Sequence, residues 1–224
     1  MNTVSDDLLT AQIDSALCRS RVYALLAFGF GYPDEDIFND YSDGGYAAEI
    51  SQEIAVCCPE LAEYFVDEIS SRLKPICTFD VFESQFLSAF ETNMPSPSAS
   101  LNEGVHLFKS DRPGLLLELK GFYNNFGLQV SGDGNELDDT LTAELEFMQF
   151  LTMKQAYAQI EGVSHTAYML AQRDFLARHL CAWLPLLLAE LSEKVTTPFF
   201  IALAEFANKF AQAHLQKIND ELVT

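Results

Sequence analysis

Residues 138–151 constrain the fold more than any other stretch, because a helix start is followed at once by a dense apolar face. At about 100° per residue, one side of this helix carries apolar side chains and one carboxylate, that of Glu144. A carboxylate on a buried face is unfavourable unless it is paired or hydrogen-bonded, so we expect a polar partner for it. Glu146 points away from that side. The apolar residues of the face are Leu141, Leu145, Met148 and Leu151, with Phe147 at its edge.

The same stretch begins with residues that can cap a helix. Asp138, Asp139 or Thr140 can accept a hydrogen bond from the first turn, and the acids suit the positive end of the helix dipole. A flexible polar loop, residues 131–135, precedes them. The segment therefore joins a loop to the core. By residue type, the nearest candidates to pair with Glu144 are Arg173, Arg178 and His179.

Composition excludes several classes of protein. The chain has 224 residues, 49% of them hydrophobic and 18 of them Phe, which is enough for a substantial core. Thirteen Lys and Arg stand against 33 Asp and Glu, and this net charge of −20 argues against binding to nucleic acid or to an anionic membrane. The acid surplus serves either solubility or attraction to a basic peptide or cationic patch.

The first helical pattern, residues 5–31, is apolar nearly all round and predicts a central, buried helix. We expect Leu17, Ala24 and Phe28 to share one of its faces. Arg19 and Arg21 are cations beside this core element, and we interpret at least one of them as a solvated or salt-bridged flank.

Apolar periodicity continues along the chain, while strand signals are weak. The sequence therefore predicts an all-α bundle of one domain, residues 1–224. A long Pro/Ser loop interrupts it near 91–112, and loops of this length are often functional. Pro185 should kink or break the long helix over 164–191. Further helices are predicted within 34–58 (broken at Gly44-Gly45), over 60–73, 80–90 and 113–126, to about 160, and from about 195 to the C-terminus.

No catalytic motif, phosphate loop or metal-ligand spacing is present, so the sequence predicts no enzyme, no cofactor and no metal. Glu144 and Glu146 lie two residues apart and cannot form a carboxylate pair. The five cysteines are scattered, which indicates reduced, packing side chains. No signal peptide is evident and no apolar run reaches membrane-spanning length, Pro185 and flanking acids interrupting the best candidate. We expect a cytoplasmic protein.

Several strings in order along the chain resemble the TorD/DmsD/NarJ family of molybdoenzyme maturation chaperones. The strings "Ser-Leu-x-Glu-Gly" and "Glu-Leu-Glu-Phe-Met" are the most specific of them, and the former is similar to chaperones of the type II dimethyl-sulfoxide-reductase group. Where the family has Pro-Asp-His before the Glu-Leu core, this chain has Asp138, Asp139 and Thr140, and Asn102 stands where Tyr is usual. The strings are 19–27 with 30–33, 82–90, 100–104, 122–128, 144–148 and 175–185.

The resemblance implies a helical chaperone that binds the twin-arginine leader, the apoenzyme, or both, of a molybdenum-containing oxidoreductase, and holds it back from export until its cofactor is inserted. We expect no binding to nucleic acid and no insertion into a membrane, and we expect a monomer or homodimer. The acids Asp139 and Glu103 would attract the leader's arginines. His179 is interpreted either as part of the site or as a hydrogen-bonded histidine at the edge of the core. The predicted partner-binding residues are Leu101, Glu103, Asp138, Asp139, Phe147, His179 and Trp183.

Two other functions remain open at this point. The chain could be a helical scaffold or dimerisation module whose acidic face only confers solubility. It could also be an enzyme or nucleotide-binding protein whose site carries no familiar motif.

Overall fold

A computed structural model describes residues 3–92, 97–107, 112–128 and 139–223, with side chains from residue 7 onward except that of residue 8. Within these ranges the chain is helical and has no strand, only an isolated antiparallel bridge between Asn102 and Thr140. The predicted all-α fold is confirmed. The helices are α1 (Thr3–Gly29), α2 (Glu35–Asp43), α3 (Gly45–Cys57), α4 (Ala62–Tyr64, between a 3₁₀ turn Pro59–Leu61 and a π turn Phe65–Ile69), α5 (Phe79–Phe90), α6 (Glu103–His106), α7 (Arg112–Asn125), α8 (Leu141–Ile160), α9 (Thr166–Phe175), α10 (Cys181–Lys194) and α11 (Pro198–Val223).

Helices α1 and α8 form the central pair, and each is apolar on more than one side because neighbours cover it. The expectation that α1 is buried on nearly all sides is partly wrong. Phe28 is 45% exposed, whereas Val22, Leu26 and Phe30 point into the core. The face through Ala24 and Phe28 instead lines a cleft, described below.

One continuous hydrophobic core draws on helices from both sides of the 91–112 segment, from Cys18 to Ile218. Its aromatic part is built as expected: the Phe82, Phe86 and Phe90 stripe of α5 is buried and packs edge-to-face on Phe200 of α11 or in tilted contact with it. The aromatic stripe is therefore core.

The 91–112 segment is more ordered than a plain loop where the structure describes it. It contains the short helix α6, and Ala99 N donates to Ala89 O at 2.9 Å, which holds the segment against α5. Helix α7 begins at Arg112, one residue before the expected start at Pro113. Residues 93–96, 108–111 and 129–138 lie outside the described ranges, and the last of these includes the predicted flexible loop over 131–135.

The long helix expected over 164–191 is broken, although Pro185 itself lies inside regular α10. The irregularity is a π turn, Leu176–Leu180, which ends five residues before the proline and joins α9 to α10. The helical path Thr166–Lys194 is long and apolar enough to cross a membrane by length and composition, contrary to expectation. Its apolar face is core: Leu176, Leu180, Trp183, Leu184, Leu187 and Leu191 are all buried.

The five cysteines are free thiols, as expected for packing residues. Cys18, Cys57 and Cys58 are buried. Burial raises the pKa of Cys57 to about 12, so this thiol is protonated at neutral pH.

A candidate partner-binding site above a buried polar junction

A buried group of polar side chains joins the 97–107 segment to the start of α8 and to α10. We call it the polar junction, and it consists of Glu103, Arg112, Asp139, Glu144, His179 and Trp183. Backbone hydrogen bonds on both sides of the Asn102–Thr140 bridge hold the two segments together: Glu103 N donates to Asp139 O at 2.9 Å, and Leu141 N donates to Leu101 O at 2.8 Å.

Asp139 is the most completely satisfied carboxylate of the polar junction. Arg112 donates to it twice, from Nε to Oδ2 at 3.1 Å and from Nη2 to Oδ1 at 2.8 Å. The Asn102 side chain and the Gly104 backbone N–H, each at 3.2 Å, complete its hydrogen bonds. A bidentate guanidinium with two further donors offsets the cost of burying a carboxylate. Thr140, next in sequence, caps α8 by accepting from Ala143 N.

Glu103 and His179 form the second pair of the junction. The imidazole Nδ1 lies 3.1 and 3.0 Å from the two oxygens of Glu103, and both side chains are buried. The other ring nitrogen lies 3.3 Å from Glu118 Oε1, without the alignment of a hydrogen bond. Phe122 and Phe175 pack against the ring. The interpretation of His179 as a hydrogen-bonded core-edge histidine is confirmed.

Glu144 and Trp183 form the third pair. The indole Nε1 donates to Glu144 Oε2 at 2.9 Å, and both side chains have no exposed surface. Burial, together with the negative charge of Glu103, raises the pKa of Glu144 well above its usual range, although the Trp183 hydrogen bond opposes the rise. Glu144 therefore keeps its proton to a higher pH than a solvated glutamate. The inward position of Glu144 is confirmed.

The partner expected for Glu144 was wrong. Arg173 pairs with Asp174, Arg178 Nη2 pairs with Glu118 at 2.5 Å, and His179 pairs with Glu103. Trp183 was predicted only as a partner-binding residue, and its single N–H donor was not considered as a partner for Glu144.

Trp183 also anchors the 97–107 segment from below. The His106 ring stacks on the indole at 5.3 Å, and His106 Nε2 lies 2.8 Å from Ser100 O. Gly104 lets the segment pack closely against Asp139, because an added Cβ would lie 2.8 Å from Asp139 Oδ2. The segment is thus held at both ends and in its middle.

An apolar cleft lies over the polar junction, between α1, α5, the 97–107 segment and the first turns of α8. Its volume is about 660 Å³. Phe28 and Tyr32 are well exposed beside it, and the exposed acids Glu91 and Glu146 line its rim. The remaining lining includes Ala24, Ile37, Phe86, Phe90, Leu101, Asn102, Thr140, Thr142 and Ala143. We call this the apolar cleft.

The structure brings most of the predicted site residues together, but mainly beneath this surface. Glu103, Asp139, His179 and Trp183 all belong to the polar junction, and Phe147 is buried against Phe175. Leu101 is half-buried and lines the apolar cleft. Asp138 lies outside the described residues. The partner-binding role of these residues stays a prediction.

Sequence reasoning missed Arg112 and Gly104. Arg112 lies at the end of a segment without periodicity, so no pattern linked it to Asp139, 27 residues away. The Glu103-Gly104 pair stood in the quoted "Ser-Leu-x-Glu-Gly" string, and that string is the signal that could have identified Gly104.

The contacts of the polar junction connect separate segments of the chain. Its carboxylates are each met by a donor, and no group of three or more potential ligands that could hold a metal ion occurs among the described residues. The arrangement fixes loop and helix ends relative to each other beneath an accessible apolar surface, which suits the binding of an extended or amphipathic segment.

Comparison with known proteins identifies the class to which this fold and site belong. Residues 48–189 match the family model described as nitrate reductase delta subunit, and the chain belongs to this family, the TorD/DmsD/NarJ group of molybdoenzyme assembly chaperones. The resemblance inferred from the sequence strings is confirmed. Membership in a family of chaperones also supports the expectation that the chain is not an enzyme.

The relatives share nearly the whole chain. The perchlorate reductase assembly chaperone protein of Dechloromonas aromatica (strain RCB) is 57% identical over 222 residues, covering 99% of both chains. The selenate reductase assembly chaperone protein of Thauera selenatis is 28% identical and covers 95% of this chain and 96% of its own. The chlorate reductase assembly chaperone protein of Ideonella dechloratans is 27% identical, with coverages of 93% and 94%. The protein is accordingly a maturation chaperone of the type II molybdoenzyme group.

Proposed function

We propose that this chaperone acts in the cytoplasm on the catalytic subunit of a molybdenum-containing reductase whose substrate is an oxyanion such as perchlorate. The observation that carries the proposal is the 57% identity, over 99% of both chains, to a perchlorate reductase assembly chaperone. The client is bound before export, while its cofactor is being inserted.

We further propose that the apolar cleft receives the client's twin-arginine leader. A leader of this kind combines adjacent arginines with an apolar segment. Phe28, Tyr32 and Leu101 offer apolar and aromatic contact, whereas Glu91 and Glu146 place negative charge at the rim. A cleft of about 660 Å³ accommodates a few side chains of an extended peptide rather than a folded domain. The net charge of −20 favours the encounter with a basic segment.

In this proposal the polar junction positions the cleft wall. Asp139 and Glu103 have no exposed surface, so they act by holding Asn102 and Leu101 in place rather than by meeting the leader's arginines themselves. Phe147, His179 and Trp183 support the same wall from the core.

Titration calorimetry with a synthetic twin-arginine leader of a molybdenum reductase from the native host tests leader binding. We expect saturable binding at low salt that weakens as salt is added, because exposed charges are screened. Replacing both leader arginines by glutamine should abolish most of it. The double variant Glu91→Gln/Glu146→Gln should weaken binding, whereas Glu193→Gln, an exposed acid elsewhere, should not. Equal effects of these variants would contradict leader binding in the apolar cleft.

Co-purification tests the wider proposal separately. Tagged chaperone isolated from its native host should carry the immature catalytic subunit of a molybdenum reductase, identified by mass spectrometry. Recovery of the subunit without measurable leader binding would leave the chaperone function standing and remove the leader from it. Absence of any molybdenum reductase subunit would contradict both.

A further inference from the structure

A second cleft, of about 650 Å³, lies at the other end of α1 from the apolar cleft. Side chains from α1, the C-terminal half of α8, the start of α9 and the last turns of α11 line it. Its polar lining includes Arg19, Lys217, Gln159, His165 and Ser15. We call it the basic cleft.

Arg19 lies in the wall of the basic cleft as a buried cation without a matching anion. It is 2% exposed, its Nη1 donates only to Ser15 Oγ at 3.4 Å, and its Nε is buried with no hydrogen-bond partner. No described carboxylate forms a salt bridge with it. A buried guanidinium without a counter-charge is unfavourable, so a site of this kind is stabilised when an anion enters.

Lys217 adds a second positive charge a short distance away. Its Nζ donates to Ser15 Oγ at 3.1 Å and to Cys57 O, the C-terminal carbonyl of α3, at 3.3 Å. Lys217 likewise makes no salt bridge with a described residue, and these two acceptors use only two of its three N–H donors. Glu221 brings a carboxylate to the exposed rim of the cleft.

Two other arginines of the chain do have a carboxylate partner, unlike Arg19. Arg21, two residues from Arg19, meets Glu53 at 3.2 Å, and Arg72 meets Glu205 at 2.9 Å. In a chain with 33 acidic residues, carboxylates are abundant, yet the more deeply buried cation has none of those described. Solvation cannot replace the missing anion for a side chain that is 2% exposed.

Two further side chains, those of His214 and Gln159, lie near these charges. Burial lowers the pKa of His214 well below its usual range, and the positive charges of Arg19 and Lys217 lower it further. Gln159 is 5% exposed and its Oε1 has no partner. Because the two ends of an amide are assigned from their surroundings, this side chain can equally turn an N–H toward an acceptor in the cleft.

We propose that the basic cleft binds a small molecule through its phosphoryl group. A planar guanidinium, a lysine ammonium and an amide together supply donors and two positive charges, which suits a dianionic phosphate better than a single carboxylate. The volume of about 650 Å³ is that of a small-molecule pocket, and Val56 and Met169 provide an apolar wall for the body of the ligand.

Calorimetry and thermal unfolding with inorganic phosphate and pyrophosphate, at constant ionic strength, test this proposal on the full chain. We expect saturable binding of pyrophosphate and a higher Tm. Arg19→Gln and Lys217→Gln should each weaken the affinity about tenfold or more, the effect of losing a hydrogen bond to a charged group. Lys217→Arg, which keeps the charge, should retain most of it.

Matched controls separate the site from general stabilisation of proteins by phosphate. Arg21→Gln and Lys209→Gln remove exposed cations on the same two helices but outside the lining of the basic cleft, so the affinity should stay within about twofold. General stabilisation by phosphate acts on the whole protein surface and would not depend on Arg19 or Lys217 in particular. If Arg19→Gln fails to fold by circular dichroism, the two Lys217 variants decide. Equal weakening by the controls, no saturable binding to the wild-type chain, or equal affinity for acetate and phosphate would each overturn the proposal. Leader binding is measured independently, so either proposal can fail alone.

Discussion

Trp183 Nε1 and Glu144 Oε2 lie 2.9 Å apart, and neither side chain reaches solvent. The hydrogen bond joins α8 to α10 at the point where both support the 97–107 segment. It also explains how a carboxyl group can lie on the most apolar face of the chain. Burial raises the pKa of the group well above its usual range, and its donor is the single indole of the protein.

Removing the indole N–H should destabilise the fold. Trp183→Phe leaves Glu144 buried without its donor, and we expect the free energy of unfolding to fall by about 1–3 kcal/mol beyond the loss of packing. Urea unfolding followed by circular dichroism measures it. The double variant Trp183→Phe/Glu144→Leu should recover part of the loss, since no polar group is then left unpaired. If the second substitution only adds to the damage, the hydrogen bond is not the cause.

The pH dependence of stability should carry the signature of Glu144. Folding raises the pKa of Glu144 above its ordinary value of 4.5, so the native state binds more protons than the unfolded state above that pH. The contribution is therefore fully present below about pH 4.5 and is lost as the pH rises toward the folded pKa. Glu144→Gln, which stays neutral, should show a flatter profile, and its stability relative to the wild type should improve from about pH 4.5 upward. Glu146→Gln, at an exposed position, should keep the wild-type profile. Parallel curves for Glu144→Gln and the wild type would contradict the raised pKa.

Breaking the ion pair of a fully buried carboxylate should be more damaging than breaking that of an exposed one. Asp139→Asn removes the charge that meets Arg112 and disturbs two further hydrogen bonds, and we expect a loss of about 3 kcal/mol in unfolding free energy. Asp174→Asn, which breaks the more exposed pair with Arg173, should have little effect. Comparable losses in the two variants, measured by urea unfolding, would mean that Asp139 is not the anchor inferred from its contacts.

A single methyl group should distinguish two glycines of similar setting. In Gly104→Ala the new Cβ would lie 2.8 Å from Asp139 Oδ2 and 3.1 Å from Arg112 Cγ, so the junction must shift and stability should fall. In Gly121→Ala the Cβ meets nothing within 4 Å, and this position inside α7 should gain about 0.5–1 kcal/mol from helix propensity. Thermal unfolding of both variants, with intrinsic fluorescence reporting on Trp183, makes the comparison. A stabilised Gly104→Ala would show that the close approach is unimportant.

Periodicity was sufficient to place the helices, the aromatic stripe of α5 and the inward Glu144, because these depend on spacing within one helix. It could not pair side chains far apart in the chain. The contact between Glu103 and His179 spans 76 residues, and that between Arg112 and Asp139 spans 27. In the sequence alone, a charged residue that makes such a distant contact cannot be told apart from a charged residue in a solvated loop.

Phe28 illustrates the opposite error. A phenylalanine on a helix that is apolar nearly all round is expected to be buried, but whether a neighbour covers it depends on how the other helices are arranged. Among the described residues no helix closes over its face, and an apolar surface remains exposed there.

The π turn Leu176–Leu180 has a consequence for how the chain tolerates changes in length. A π turn accommodates one residue more than a regular α-helical turn. Because the extra residue is absorbed within the turn, α10 keeps the orientation that points Trp183 at Glu144. A one-residue insertion or deletion elsewhere between Thr166 and Trp183 would instead rotate the helix that follows by about 100°. The π turn is therefore the place along this helical path where a change of one residue in length is most readily accommodated.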